Sequence, residues 1–166
     1  MKPLAAASAT TAWAIVVNKP FYPLYVWGLV GDNVATSFWT LAAWPLFLAA
    51  AFGARRWPLA ARVGLPLAGL VDTAFSCLMF GAATGVEAFL VPCALLAALS
   101  FRADEAWVSR ALTAVAFVAF VALRWLALPG LHPWPPAEAA TLVTLNLYSA
   151  ASLTAFVGLR FASARE

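Results

Sequence analysis

The sequence predicts an all-α, polytopic membrane protein, a compact bundle of six transmembrane helices, and three observations carry that prediction. Of 166 residues, 64% are hydrophobic and 10% charged, with a mean hydropathy of +0.89; a soluble domain has roughly 45–50% and 25%. Apolar runs of the ~20 residues that a helix needs to cross the hydrocarbon core recur between clusters of charge, Gly and Pro. Basic residues fall on alternate connections between those runs, the pattern by which spanning helices are oriented. None of the runs alternates with period two, which argues against a barrel.

The first run, 7–30, is predicted as a retained helix rather than a cleaved leader, because Asn18-Lys19-Pro20 interrupts it and no compact apolar core precedes a cleavage site. The second, 35–54, starts beyond Gly31-Asp32-Asn33 and stops at Arg55-Arg56. The third, 63–83, follows Arg62 and ends in the glycine-bearing stretch before the fourth, 85–101, which stops at Arg102. The fifth, 106–128, runs to Pro129-Gly130. The sixth, 138–160, follows a connection carrying Pro129, Gly130, Pro133, Pro135 and Pro136, residues that favour turns and extended chain over a folded module. The whole of 1–166 is thus a single integral membrane domain.

Lys2, Arg55, Arg56, Arg62, Arg102, Arg110, Arg160 and Arg165 lie on the side shared by the two termini, and the three opposite connections hold no Lys or Arg. Both termini are expected in the cytoplasm of a bacterium, with the chain multi-pass in its inner membrane. The net charge of +3 then faces lipid headgroups rather than nucleic acid. One histidine and two cysteines rule out bis-histidine haem within one chain, a four-cysteine metal site and a disulfide framework. Neither metal nor cofactor is expected. His132, the one histidine, sits in the proline-rich connection without a nucleophile–base set around it, so enzymatic activity is not expected either.

Charges near the bilayer centre cost on the order of 2.5–3.5 kcal/mol each and take partners. Lys19 and Asp72 each lie eleven residues before the outer end of their predicted spans (30 − 19 and 83 − 72), at matching depth. They are expected to form an intramembrane ion pair, with Asn18 and Asn146 completing its hydrogen bonds. The alternative has Lys19 snorkelling to an interface and Asp72 protonated. Pro20 and Pro23 each remove a backbone donor and kink the first helix; the freed carbonyls, flanked by Tyr22 and Tyr25, form a possible ligand pocket.

Further along, Asn33, Ser37, Thr40 and Trp44 share one helix face, expected to look inward or toward a partner. Ala150, Thr154 and Gly158 make a small-residue ridge for close helix packing, within the chain or between copies. Trp27, Trp57, Trp107, Trp125 and Trp134 fall near span ends as interfacial anchors, whereas Trp13, Trp39 and Trp44 lie deeper as packing or pocket groups. Cys77 and Cys93 read as small apolar packing, and Glu87 and Arg124 as a pair across two helices.

The segment Phe80-Gly81-Ala82-Ala83-Thr84-Gly85-Val86-Glu87-Ala88-Phe89 resembles the G-x-x-x-G turn of the six-helix membrane input modules that precede nucleotide cyclase, diguanylate cyclase and histidine kinase domains in bacteria. The resemblance covers about thirty residues, from Asp72 to Phe101. It implies a sensory or dimerising role, with the sixth helix leading toward a cytoplasmic output domain.

Two functional classes follow. The first is a non-enzymatic sensor, receptor or assembly subunit that binds a partner membrane protein, a second copy or an apolar ligand. The second is a small transporter or channel that uses the Lys19–Asp72 pair.

Overall fold

The computed structural model describes residues 3–31 and 35–164. Lys2, Asp32, Asn33 and Arg165 lie outside the described residues. Among the described residues the chain is helical, without strands. Seven α-helices form: α1 Pro3–Asn18, α2 Tyr22–Val30, α3 Trp44–Gly53, α4 Pro58–Phe80, α5 Leu90–Leu99, α6 Ala106–Leu126 and α7 Pro136–Ala162. Short 3₁₀ stretches join or extend them, at Lys19–Phe21 between α1 and α2, at Ala35–Ala43 leading into α3, and at Val86–Phe89 leading into α5.

Four segments are long and apolar enough to cross a membrane: Ala35–Gly53, Pro58–Phe80, Ala103–Leu126 and Pro136–Ala162. The other two expected spans differ for separate reasons. The first is helical from Pro3 to Val30 but breaks at Lys19–Phe21, where Asn18-Lys19-Pro20 also lowers its hydropathy. The fourth is the shorter apolar stretch Val86–Leu99, because Gly85 sits in the left-handed region at φ 69° and a tight 3₁₀ turn uses up its first residues. The third helix begins at Pro58 rather than 63 and stops at Phe80 rather than 83, since Gly81, at φ 81°, terminates it.

α4 is the central helix. It buries ten residues and packs against α1, α3, α5 and α6. It comes close to α5 at Gly69, where a Cβ would stand 2.5 Å from the Cys93 Sγ. α6 is peripheral and buries only Leu112 and Ala116. Its Val115, Phe117, Val118 and Val121 point outward, a composition suited to lipid rather than water.

The apolar core has two halves along the bundle axis. Toward the termini, Ala7 and Val16 pack with Phe47, Leu65, Leu96, Val157 and Phe161. Toward the opposite end, Val26, Cys77, Phe80, Val86 and Leu142 pack together. Between these halves α4 carries Asp72, Thr73 and Ser76, and the α1–α2 junction carries Lys19 and Tyr22. The ion pair lies between these two apolar clusters, and a third cluster of Leu70, Leu90 and Ala116 packs α4 against α5 and α6 beside it.

The proline-rich connection is pinned to the end of α4. Leu131 N–H donates to the carbonyls of Leu78 and Met79, and Ala82 N–H donates to Leu128. The two backbones touch at Gly81 and Gly130: a Cβ on either would lie 2.6 Å from the other segment's main chain. Trp134 stacks on Phe80 at 5.5 Å, and His132 meets Trp134 edge-on at 4.4 Å.

Candidate functional site

The polar layer opens into a cavity of about 860 Å³ walled by the α1–α2 junction, α4, α5 and α7, within the ~300–1,000 Å³ range of small-molecule sites. Its charged wall is the pair formed by Lys19 and Asp72. Lys19 Nζ donates to both carboxylate oxygens of Asp72, at 2.8 and 2.7 Å. It also lies 5.5 Å from the centre of the Phe47 ring. The pair is electrically neutral as a unit, and both side chains are largely buried, at 9% and 19% exposed.

The break that delivers Lys19 to this wall follows from local chemistry. Pro20 cannot donate to the Val16 carbonyl, four residues back, and Pro23 cannot donate to that of Lys19. Both acceptors are satisfied by other groups. The indole Nε1 of Trp44 donates to Val16 at 2.9 Å, and the Tyr22 N–H closes a 3₁₀ turn onto Lys19. The freed carbonyls are therefore consumed by the bundle and do not present themselves to a ligand. The kink instead places Lys19 and Tyr22 on the cavity wall, while Pro23 is buried behind it and Pro20 is exposed.

Asn146 is fully buried but does not serve the ion pair. Its Oδ1 accepts from the Tyr22 hydroxyl at 2.9 Å, and its Nδ2 donates to the Thr84 carbonyl at 2.9 Å. It ties α7 to α2 and to the turn after α4, because α7 presents position 146 to that turn. Asn18 is exposed and lines the cavity, and among the described residues its amide does not bond the pair. Of the expected cluster of Asn18, Lys19, Asp72 and Asn146, the structure brings Lys19 and Asp72 together, whereas Asn146 pairs with Tyr22 and Asn18 joins neither unit.

α7 supplies the wall opposite α4 through Thr141, Thr144, Tyr148, Ser149 and Ser152, which recur at helical spacing on one face. Thr141 and Thr144 turn their hydroxyls back onto the carbonyls of Ala137 and Ala140. The hydroxyls of Tyr148, Ser149 and Ser152, and that of Tyr25 across the cavity, make no hydrogen bond among the described residues. The sequence singles out Tyr25 and places Ser149 near the small-residue ridge of α7; it does not flag Tyr148 and Ser152, whose signal is a polar stripe at spacings of three and four within an apolar run.

The remaining residues divide clearly. On the second segment Asn33 lies outside the described residues; Ser37 and Thr40 are buried, and Thr40 donates to the Ser37 carbonyl at 2.7 Å and lines the cavity. No tryptophan lines it; Trp39 is 61% exposed and Trp13 packs edge-on against Phe52. The ridge on α7 has Ala150 buried and Thr154 bonded back to Ala150, but Gly158 has open space where a Cβ would stand. Among the described residues no helix uses the close approach that Gly158 permits; Val157 and Phe161 instead join α7 to the cluster that holds Ala7 and Val16 of α1. Cys77 and Cys93 are buried free thiols. Arg124 reaches Glu87 at 2.9 Å.

A second ionic unit, unread from the sequence, closes the terminal side. Arg62 is buried and donates from both Nη atoms to Glu105 at 2.6 Å and from Nη1 to the Ser100 carbonyl at 2.9 Å. Glu105 also accepts from the Arg102 N–H at 3.1 Å. This fork joins α4 to the α5–α6 connection.

Among the described residues no group of His, Cys, Asp and Glu is placed to hold a metal ion. No protein-family model, curated protein or solved structure matches this chain.

Proposed function

We propose that the protein is a non-enzymatic, six-span membrane module of a bacterial inner membrane, both termini cytoplasmic, that binds a small apolar ligand within the bilayer. It signals occupancy as a sensor or receptor to a partner membrane protein or a second copy. The observation that carries this reading is the cavity of about 860 Å³ at the layer where Lys19 and Asp72 meet. A helical bundle that needed only a buried ion pair for specificity would close its packing over it, since protein interiors leave few voids larger than a water molecule. Here the pair faces a space that side chains leave open, whose walls combine apolar surface with hydroxyl groups, a mixture found in ligand sites.

Transport is the second reading, favoured by the access of that space to a charged pair in the middle of the core. A carrier must present its polar group alternately to the two sides. The dry packing around Val157 and Phe161 on the terminal side and the pinned connection at Gly81 and Gly130 on the other fit a static pocket better.

The test is native mass spectrometry of the protein extracted in mild detergent. A retained small-molecule mass that disappears in Ser149→Trp, which fills the cavity, supports the binding module. A protein that carries no such mass and whose stability is unchanged by added membrane extract contradicts it.

A further inference from the structure

The chemistry of the ligand can be read from the cavity, given the binding-module reading above. We infer that the cavity takes an uncharged, bilayer-dissolved amphiphile, a single-chain molecule with a hydroxyl or carbonyl head, which enters sideways between α2 and α7 from the acyl-chain region.

The direction of access comes from depth. Tyr148 lines the cavity and is 72% exposed. It stands twelve residues into α7 (148 − 136), ~18 Å along a helix rising 1.5 Å per residue, close to the centre of a ~30 Å hydrocarbon core. Across the gap Tyr25 and Leu29 of α2 line the same cavity and are 43% and 53% exposed. Tyr25 and Leu29 stand higher, five and one residues before the end of α2 at Val30, so the cleft is open from the outer end of α2 down to the depth of Tyr148, a height flanked by acyl chains.

The head group follows from charge accounting. Lys19 and Asp72 neutralise each other through two hydrogen bonds, which leaves one ammonium hydrogen and further lone pairs on the carboxylate. A neutral donor–acceptor group engages these without disturbing the pair. An anionic head would have to displace Asp72 from Lys19, and a cationic head would displace Lys19 from Asp72. Either would leave an unpaired charge in a low-dielectric wall, the costliest outcome available there.

The unengaged hydroxyls of Tyr25, Tyr148, Ser149 and Ser152 are a second, independent sign. Polar groups facing hydrocarbon without a partner are unfavourable, and these four belong to residues that line one space. They suit an oxygen-bearing ligand and add no net charge.

The experiment uses the full chain in lipid nanodiscs and three photoreactive dodecyl probes that differ only in their heads: alcohol, carboxylate and ammonium. Peptide mapping reports where each attaches. The alcohol is expected to label α2 and α7 residues of the cavity saturably, with excess unlabelled alcohol as competitor. Carboxylate and amine are expected to label about tenfold less, the effect of one lost polar interaction. The folded double variant Ser149→Ala/Ser152→Ala is expected to weaken alcohol labelling several-fold while keeping its monodisperse elution. Preferential labelling by carboxylate or amine overturns the uncharged class and leaves the binding module standing. Labelling that no probe saturates overturns both. Saturable labelling by the alcohol equally in the double variant overturns the role of the α7 hydroxyls.

Discussion

The indole Nε1 of Trp44 donates to the main-chain carbonyl of Val16 at 2.9 Å, the acceptor that Pro20 deprives of its helical partner. One side chain from the second apolar segment thus repairs the break in the first. The break in turn allows α1 to end and α2 to restart with Lys19 and Tyr22 turned to the same cavity.

Trp44→Phe keeps an aromatic ring, though a smaller one, and removes the donor. It is expected to lower stability by about 1–2 kcal/mol, the cost of an unsatisfied carbonyl in an apolar setting, read as a shift in the denaturant midpoint in mixed micelles. Pro20→Ala in the Trp44→Phe background restores an N–H four residues after Val16 and should recover most of the loss. Strict additivity of the two changes would show that the indole does not act through that carbonyl.

The Lys19–Asp72 pair is expected to be costly to halve and cheap to remove. Lys19→Met or Asp72→Leu alone leaves a lone buried charge and should lose about 3–5 kcal/mol, whereas the double variant should regain most of it. Unfolding of all three in the same micelles decides the matter, and a double variant as unstable as the sum of the singles would contradict the pairing.

Asn146 bridges two elements, so Asn146→Leu should cost more than Tyr22→Phe. The Leu substitution strands both the Tyr22 hydroxyl and the Thr84 carbonyl, against one amide acceptor for the Phe substitution. Within a membrane bundle each such bond is worth on the order of 0.6–1.7 kcal/mol. Equal losses in thermal stability would count against the bridge.

On the terminal side, Arg62→Ala is expected to destabilise by about 2–3 kcal/mol with little dependence on salt, because Arg62 is buried and forks onto Glu105 and Ser100. Arg102→Ala, which breaks the solvent-exposed bridge to Asp104, should cost no more than about 0.5 kcal/mol and be screened by salt. Comparison of both melts at low and high ionic strength tests the contrast.

Gly81→Ala faces two obstacles at once, a φ of 81° and a main-chain oxygen of Pro129 at 2.6 Å from the new Cβ. A loss of about 2–3 kcal/mol is expected, together with faster proteolysis in the Pro129–Ala137 connection as it detaches from α4. Gly64→Ala, in open space within the same helix, serves as the control and should be neutral or slightly stabilising.

Some of this was legible in the residues. Helical class follows from the apolar runs, and the two lone charges at similar depth mark the polar layer because nothing apolar can satisfy them. Other features were hidden for physical reasons. Trp44 sits in an apolar run and gives no local sign that its N–H will cross to a carbonyl 28 residues away. Arg62 reads as a loop cation until α4 starts at Pro58 and carries it inward. Asn146 reads as a partner of the ion pair but meets Tyr22, because the rotation of α7 that buries Leu142 and Val157 decides which polar neighbour it reaches. Segment ends shifted where Gly81 and Gly85 entered left-handed conformations, a preference that composition signals without fixing the residue at which the helix stops.

The most direct measurement is a cryo-electron microscopy map of the protein in nanodiscs prepared from its native lipid. Elongated non-protein density is expected between α2 and α7, with one end within hydrogen-bond distance of Lys19 and Asp72. A map in which α7 closes onto α2 and side chains fill that space, or in which Lys19 and Asp72 turn away from each other, would contradict it.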